Sequence, residues 1–165
     1  MDTAVFEKLV SLLREKGLRL AAAESCTGGW FAKSVVDVPG ASAVFLGGVV
    51  SYTNEVKEKL LAVPRALIEA HTAVSSPVAA AMAEGVREAV GADIGISVTG
   101  LAGPTGGTPD IPVGRVFIGI ARKGRATEVL TLTEGGTRED IRRAATARMA
   151  YELVKRLGDI ENESI

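Results

Sequence analysis

The chain has 165 residues, of which 47% are apolar and 24% charged, with a formal net charge of −1. That length accommodates one domain with a real core, and the composition is globular; no basic cluster interleaved with aromatics offers a nucleic-acid footprint. One cysteine, Cys26, and one histidine, His71, rule out an internal disulfide, a Cys-x-x-Cys metal site and a multi-histidine metal centre.

In chain order, Phe6, Leu9, Val10 and Leu13 recur at helical spacing, which predicts a helix over 2–16 stopped by Gly17. Its charged residues Glu7, Lys8, Arg14, Glu15 and Lys16 make it an amphipathic helix, not a targeting signal. A first strand follows over 18–23, then a helix over 28–37 ended by Pro39-Gly40. A second strand is predicted over 45–53, and the pair Gly47-Gly48 inside it signals a bulge or a close backbone neighbour. Asn54 is expected to cap a short helix over 55–61, and Pro64 to open a helical turn that ends near His71. Ser75-Ser76-Pro77 is a cap with proline at the first helical position, opening a helix to about Val90. A third strand over 93–99 is the expected centre of the sheet, and a glycine-rich loop runs over 100–109. Strands over 113–122 and 126–133 flank the hairpin signal Lys123-Gly124-Arg125. Thr137 caps a last helix to about Leu157, and the tail from Asp159 is expected to fray. Early alternation of helices and strands followed by a hairpin gives a single-domain, three-layer α/β/α sandwich with a mixed sheet of about five strands. The apolar runs near 44–50 and 94–102 are far shorter than a membrane span, so a cytoplasmic protein without membrane or nucleic-acid partners is expected.

Ala23-Glu24-Ser25-Cys26-Thr27-Gly28-Gly29 is the most informative stretch. A strand-to-helix turn holds a side-chain nucleophile, and its glycines let backbone N–H groups near Thr27 and Gly28 face an anion or oxyanion. Ser25 is the candidate nucleophile. Adjacent residues leaving a strand point opposite ways, so only one of Ser25 and Cys26 is expected to face a cleft, and a small buried cysteine is the plainer reading of Cys26. Ser51 to Lys57 ends a strand and starts a helix. Lys57, in the first turn of that helix, meets positive partial charge and burial, both of which lower its pKa and fit it to take a proton from a serine. Thr99-Gly100-Leu101-Ala102-Gly103 forms a backbone cradle at a strand end, yet it is neither a Walker A loop nor a dinucleotide fingerprint. Arg138 and Arg142 lie one turn apart on the last helix, each able to pair with a phosphate or to remain a solvated basic face. His71 reads as a helix-end residue.

Taken together, AESCTGG (23–29), DVPGAS (37–42), GGVVSYTNEVK (47–57), AVSSPVAAAMAEG (73–85), SVTGLAGPTGGTP (97–109), PVGRVFIG (112–119) and GTREDIR (136–142) resemble the CinA C-terminal domain family. That family comprises competence-damage-inducible CinA proteins and stand-alone nicotinamide-nucleotide amidases. The resemblance implies hydrolysis of the carboxamide of nicotinamide mononucleotide to nicotinate mononucleotide and ammonia, with the serine nucleophile at Ser25 and its lysine partner at Lys57. It also implies pocket positions at Tyr52, Thr99, Gly100 and Arg142. Thr105 and Thr137 depart from the family's pattern. The resulting expectation has Ser25, Lys57 and Tyr52 as catalytic, and Thr27, Gly28, Asn54, Thr99, Gly100, Gly103 and Arg142 as substrate-binding. No metal or organic cofactor is called for, a nucleotide is the small-molecule partner, and a homodimer or higher homo-oligomer is the default assembly. The competing expectation is a non-catalytic nucleotide-binding or regulatory module of the same fold.

Overall fold

Leu20–Glu24 forms β1, five residues with every side chain buried. Such burial on both faces marks a strand covered above and below by helices, and small alanines let those helices come close. The computed structural model describes residues 3–159. Helix α1 spans Thr3–Glu15, α2 Trp30–Val36, α3 Asn54–Leu61, α4 Arg65–His71, α5 Ser76–Val90 and α6 Arg138–Asp159. The remaining strands are β2 (Phe45–Val50), β3 (Ile94–Gly100), β4 (Arg115–Arg122) and β5 (Glu128–Thr133). The expected fraying of the tail falls on residues outside the described ones, beyond Asp159.

The sheet runs in the order β2-β1-β3-β4-β5. Strands β1, β2 and β3 are mutually parallel, whereas β4 and β5 fold back antiparallel as the predicted hairpin. The mixed sheet and the central position of β3 agree with the sequence reading. Helices α1, α2 and α6 cover one face, burying Phe6, Leu9, Leu13, Phe31, Ile141 and Met149 against Leu20, Ile96 and Ile118. Helix α5, with α3 and α4 beside it, covers the other face through Val78, Met82, Val86, Leu61 and Ile68. Opposite β1, the register of β2 slips between Phe45 and Gly47, and a Cβ on Gly48 would strike the Ala22 carbonyl. The Gly47-Gly48 pair therefore marks both a bulge and a close approach.

Several boundaries shift, each for a local reason. Residues 28–29 are not helical: Gly28 and Gly29 have φ of 63° and 94°, so the chain turns there and α2 starts at Trp30. Strand β2 ends at Val50: the Ser51 N–H still donates to the Glu24 carbonyl of β1 at 2.8 Å, but the Ser51 carbonyl accepts from Lys57 of α3. The cap of α3 is Thr53, whose hydroxyl accepts from Val56 N–H at 3.4 Å, and Asn54 is already helical. Ser75 sits at the cap of α5, but its hydroxyl donates to the Thr72 carbonyl at 2.9 Å. Thr137 behaves as expected: its hydroxyl accepts from Asp140 N–H at 3.2 Å, while its own N–H donates to the Asp140 carboxylate at 2.9 Å.

Candidate active site

The carboxyl ends of β1 and β3 converge with the start of α3 and the loop after β3 on a cleft of about 360 Å³. Crevices at the ends of parallel strands are the usual ligand sites of α/β sheets. Ser25, Cys26, Tyr52, Lys57, Thr99, Gly100, Gly103, Thr105 and Arg138 are among its lining residues.

Ser25 enters this cleft because β1 ends at Glu24 and the Ser25 N–H is pinned to the Val98 carbonyl at 3.0 Å. The next turn is tightened by Gly28 N–H donating to the Ser25 carbonyl at 3.1 Å. Lys57 comes from α3 and is only 1% exposed, an unusual depth for an amine. Its Nζ donates to the Ser51 carbonyl at 2.6 Å and lies 3.2 Å from Ser25 Oγ. Burial lowers its pKa from the ordinary lysine value and outweighs the opposing influence of the neighbouring Cys26. The sequence argument named the helix N-terminus as a second cause, but Lys57 is the fourth residue of α3 and desolvation is the dominant effect. Deprotonated, the amine would turn its lone pair to the Ser25 hydroxyl with one N–H still on Ser51. That is the geometry of a general base beside a nucleophile.

Cys26 also lines the cleft, which corrects the expectation that only one of the two neighbours would face it. Alternation applies within a strand, and Cys26 is already in the turn. Burial pushes its thiol up to about 11, so it stays protonated and weakly nucleophilic at neutral pH.

Four predicted binding residues lie away from the cleft lining. Thr27 is fully buried behind the turn and its hydroxyl donates to the Glu24 carboxylate at 2.6 Å. Gly28 N–H is engaged by Ser25. Asn54 lies in a separate surface hollow with Glu55, Glu58 and Arg65. Arg142 does not face the ligand space: Nε donates to the Cys26 carbonyl at 2.9 Å and Nη2 to the Thr27 carbonyl at 2.8 Å. Its neighbour Arg138 lines the cleft instead, donating to the Gly103 carbonyl at 2.7 Å and the Tyr52 hydroxyl at 3.2 Å. One helical turn separates the two arginines, and only the rotation of α6 against the sheet decides which reaches the cleft. Thr99 and Gly100 occupy the expected strand end, with Thr99 Oγ1 donating to the Ala73 carbonyl at 2.7 Å. His71 is an exposed helix-end residue, as read.

Glu24 escaped the sequence reading. It is 1% exposed, and its carboxylate collects Gly29 N–H at 3.0 Å, Phe31 N–H at 3.1 Å and Ala32 N–H at 2.8 Å as well as the Thr27 hydroxyl. The N-terminus of α2 is thus closed by an internal anion and is not open to a ligand. The available signal was a lone acid at the end of an otherwise apolar strand, followed by two glycines. Among the described residues, the backbone N–H groups of Cys26 and Thr27, by contrast, have no backbone acceptor.

The profile of the CinA C-terminal domain matches residues 2–157. A putative competence-damage inducible protein from Caldanaerobacter subterraneus subsp. tengcongensis is 47% identical over 155 residues, covering 94% of this chain and 37% of that protein. A CinA-like protein from Geobacter sulfurreducens is 48% identical over 156 residues, covering 94% and 36% respectively. The chain therefore spans little more than a third of the curated relatives it matches. Among solved structures, a competence-damaged protein (CinA) superfamily protein from Klebsiella pneumoniae superposes with a TM-score of 0.91 at 30% identity, covering 94% of this chain and 97% of that one. One from Escherichia coli gives 0.83 at 34% identity, over 95% and 92%. With the sequence profile, the relatives and the fold in agreement over nearly all its length, this chain belongs to the CinA C-terminal domain family.

Proposed function

We propose that this chain is an amidohydrolase that converts nicotinamide mononucleotide to nicotinate mononucleotide and ammonia, a salvage step, through a Ser25–Lys57 dyad. The observation that carries the reading is a buried amine 3.2 Å from a serine hydroxyl at the end of a parallel strand. Membership of the family and the size of the cleft support it, since about 300–1,000 Å³ suits a small-molecule ligand.

In this mechanism neutral Lys57 takes the Ser25 proton as Oγ attacks the carboxamide carbon. The carbonyl π pair moves onto oxygen, where the N–H groups of Cys26 and Thr27 receive it. Collapse breaks the C–N bond, and the ammonium of Lys57 returns its proton to the departing nitrogen, which leaves as ammonia. The Tyr52 hydroxyl accepts from Arg138, so its own proton stays available to assist that step. Water then attacks the acyl-enzyme ester, giving one proton to Lys57, which passes it to Ser25 Oγ as the ester bond breaks. The pyridinium ring withdraws electrons from the carbonyl, so the reaction needs no metal. Arg138, which lines the cleft, is the cation that meets the phosphate, with the 99–105 loop along the ribose.

An ammonia-release assay on nicotinamide mononucleotide tests the reading. Ser25→Ala and Lys57→Ala are each expected to lower kcat by several orders of magnitude while ligand binding persists, and Cys26→Ala to keep most activity. Equal losses in the Ser25 and Cys26 variants overturn the nucleophile assignment. Binding without ammonia release by the wild-type protein assigns the non-catalytic module instead.

A further inference from the structure

The N–H groups of Cys26 and Thr27, the two that follow the nucleophile, sit in a turn of small residues, and the contacts on the carbonyls before them decide where they point. In a trans peptide the C=O and N–H are antiparallel, so an anchor on a carbonyl aims the N–H of the following residue the opposite way. The Ser25 carbonyl is held by Gly28 N–H, which orients the Cys26 N–H. The Cys26 carbonyl is held by Arg142 Nε at 2.9 Å, which turns the Thr27 N–H away from the guanidinium. The Thr27 carbonyl accepts from Arg142 Nη2 at 2.8 Å and, more weakly, from Trp30 N–H at 3.4 Å. One planar fork therefore spans two successive carbonyls across 115 and 116 residues of sequence. The fork is itself constrained, because its carbon stacks 5.3 Å above the Trp30 ring.

Charge adds to orientation. The helix α2 N-terminus, often the source of positive potential at an oxyanion site, is neutralised here by Glu24. A cation hydrogen-bonded to a carbonyl polarises that peptide and strengthens its N–H as a donor.

We propose that Arg142 is a positioning residue for the Cys26–Thr27 oxyanion donors: through the Cys26 carbonyl it orients and polarises the peptide of the Thr27 N–H directly, through the Thr27 carbonyl it fixes the Gly28 N–H that anchors the peptide of the Cys26 N–H, and it touches no substrate. The proposal rests on the acyl-transfer reading of Ser25 but not on the identity of the amide.

The test uses two probes on the full chain, the nicotinamide mononucleotide assay and the rate at which an alkyl fluorophosphonate labels Ser25. Labelling displaces fluoride as Oγ bonds to phosphorus, and negative charge builds on the phosphoryl oxygen where the oxyanion would form. Arg142→Ala is expected to lower kcat and the labelling rate by about 10²-fold, the loss typical of one donor at such a site, with KM nearly unchanged. Millimolar guanidinium should restore part of both rates. Arg142→Lys keeps the charge but not the two-pronged geometry, so it should stay folded and still fall well below wild type. A rise in KM at constant kcat would instead make Arg142 a substrate contact and overturn the proposal. So would wild-type labelling rates in both variants, or no labelling of Ser25 in the wild type. Arg142-dependent labelling without ammonia release would uphold the positioning role and sink only the amidase reading.

Discussion

Lys57 links stability to pH through its burial. A buried amine with a lowered pKa binds fewer protons folded than unfolded, so between the folded value and the ordinary ~10.4 stability rises with pH and is lost as pH falls through the folded value. Replacing it with methionine removes that linkage. The melting temperature of Lys57→Met relative to wild type is expected to be most favourable below neutrality and to decline steadily towards pH 10; thermal melts across that range check it, and a constant difference would mean that the amine is charged in the fold. Activity should move the opposite way, rising with pH as the amine deprotonates. Ser25 and Lys57 were both legible in the sequence, because a hydroxyl before two glycines and a lysine at a strand-to-helix junction are local signals. Arg138 and Arg142 were not separable, since residues one turn apart share a helix face and differ only in what that face meets.

At the scale of elements, α2 depends on a carboxylate that precedes it by six residues. Four donors converge on Glu24, and a glutamine there can offer only one oxygen. Glu24→Gln is expected to cost about 1–3 kcal/mol, the penalty of leaving a buried donor unmatched. A lower denaturant midpoint together with faster amide exchange at Phe31 and Ala32 would check this; unchanged exchange there would deny Glu24 its capping role. Strand and helix existence could be read from periodicity, but the boundary at 28–30 could not. Left-handed glycines followed by an internal cap delay α2 by two residues, and the acceptor that satisfies its first amides lies in the preceding strand. Thr53 displaced Asn54 as a cap for a similar reason: both can accept the bond, and the exit angle of β2 selects between them.

Across the whole molecule, α5 packs tightly against the sheet. A Cβ on Gly119 of β4 would strike the Ala79 carbonyl of α5 and come within 2.7 Å of Ser97 Oγ, which itself donates to Ala79 at 2.6 Å and accepts from Gly119 N–H at 3.2 Å. Gly119→Ala should therefore destabilise by about 1–3 kcal/mol through overpacking, read as a lower melting temperature; an unchanged value would show that the helix can move away freely. Among the described residues no helix is long and apolar enough to cross a membrane. What the sequence by itself determined was the inventory: alternating helices and strands, a terminal hairpin, a serine at a glycine turn and a lysine 32 residues later. Those follow from side-chain periodicity and backbone sterics, which act over a few residues. Only the tertiary structure decided that the serine and lysine meet, and that Arg138 faces the cleft while Arg142 holds the turn. These outcomes depend on how α6, α3 and the sheet dock, and docking is fixed by packing between residues far apart in the chain, where no local pattern records the angle.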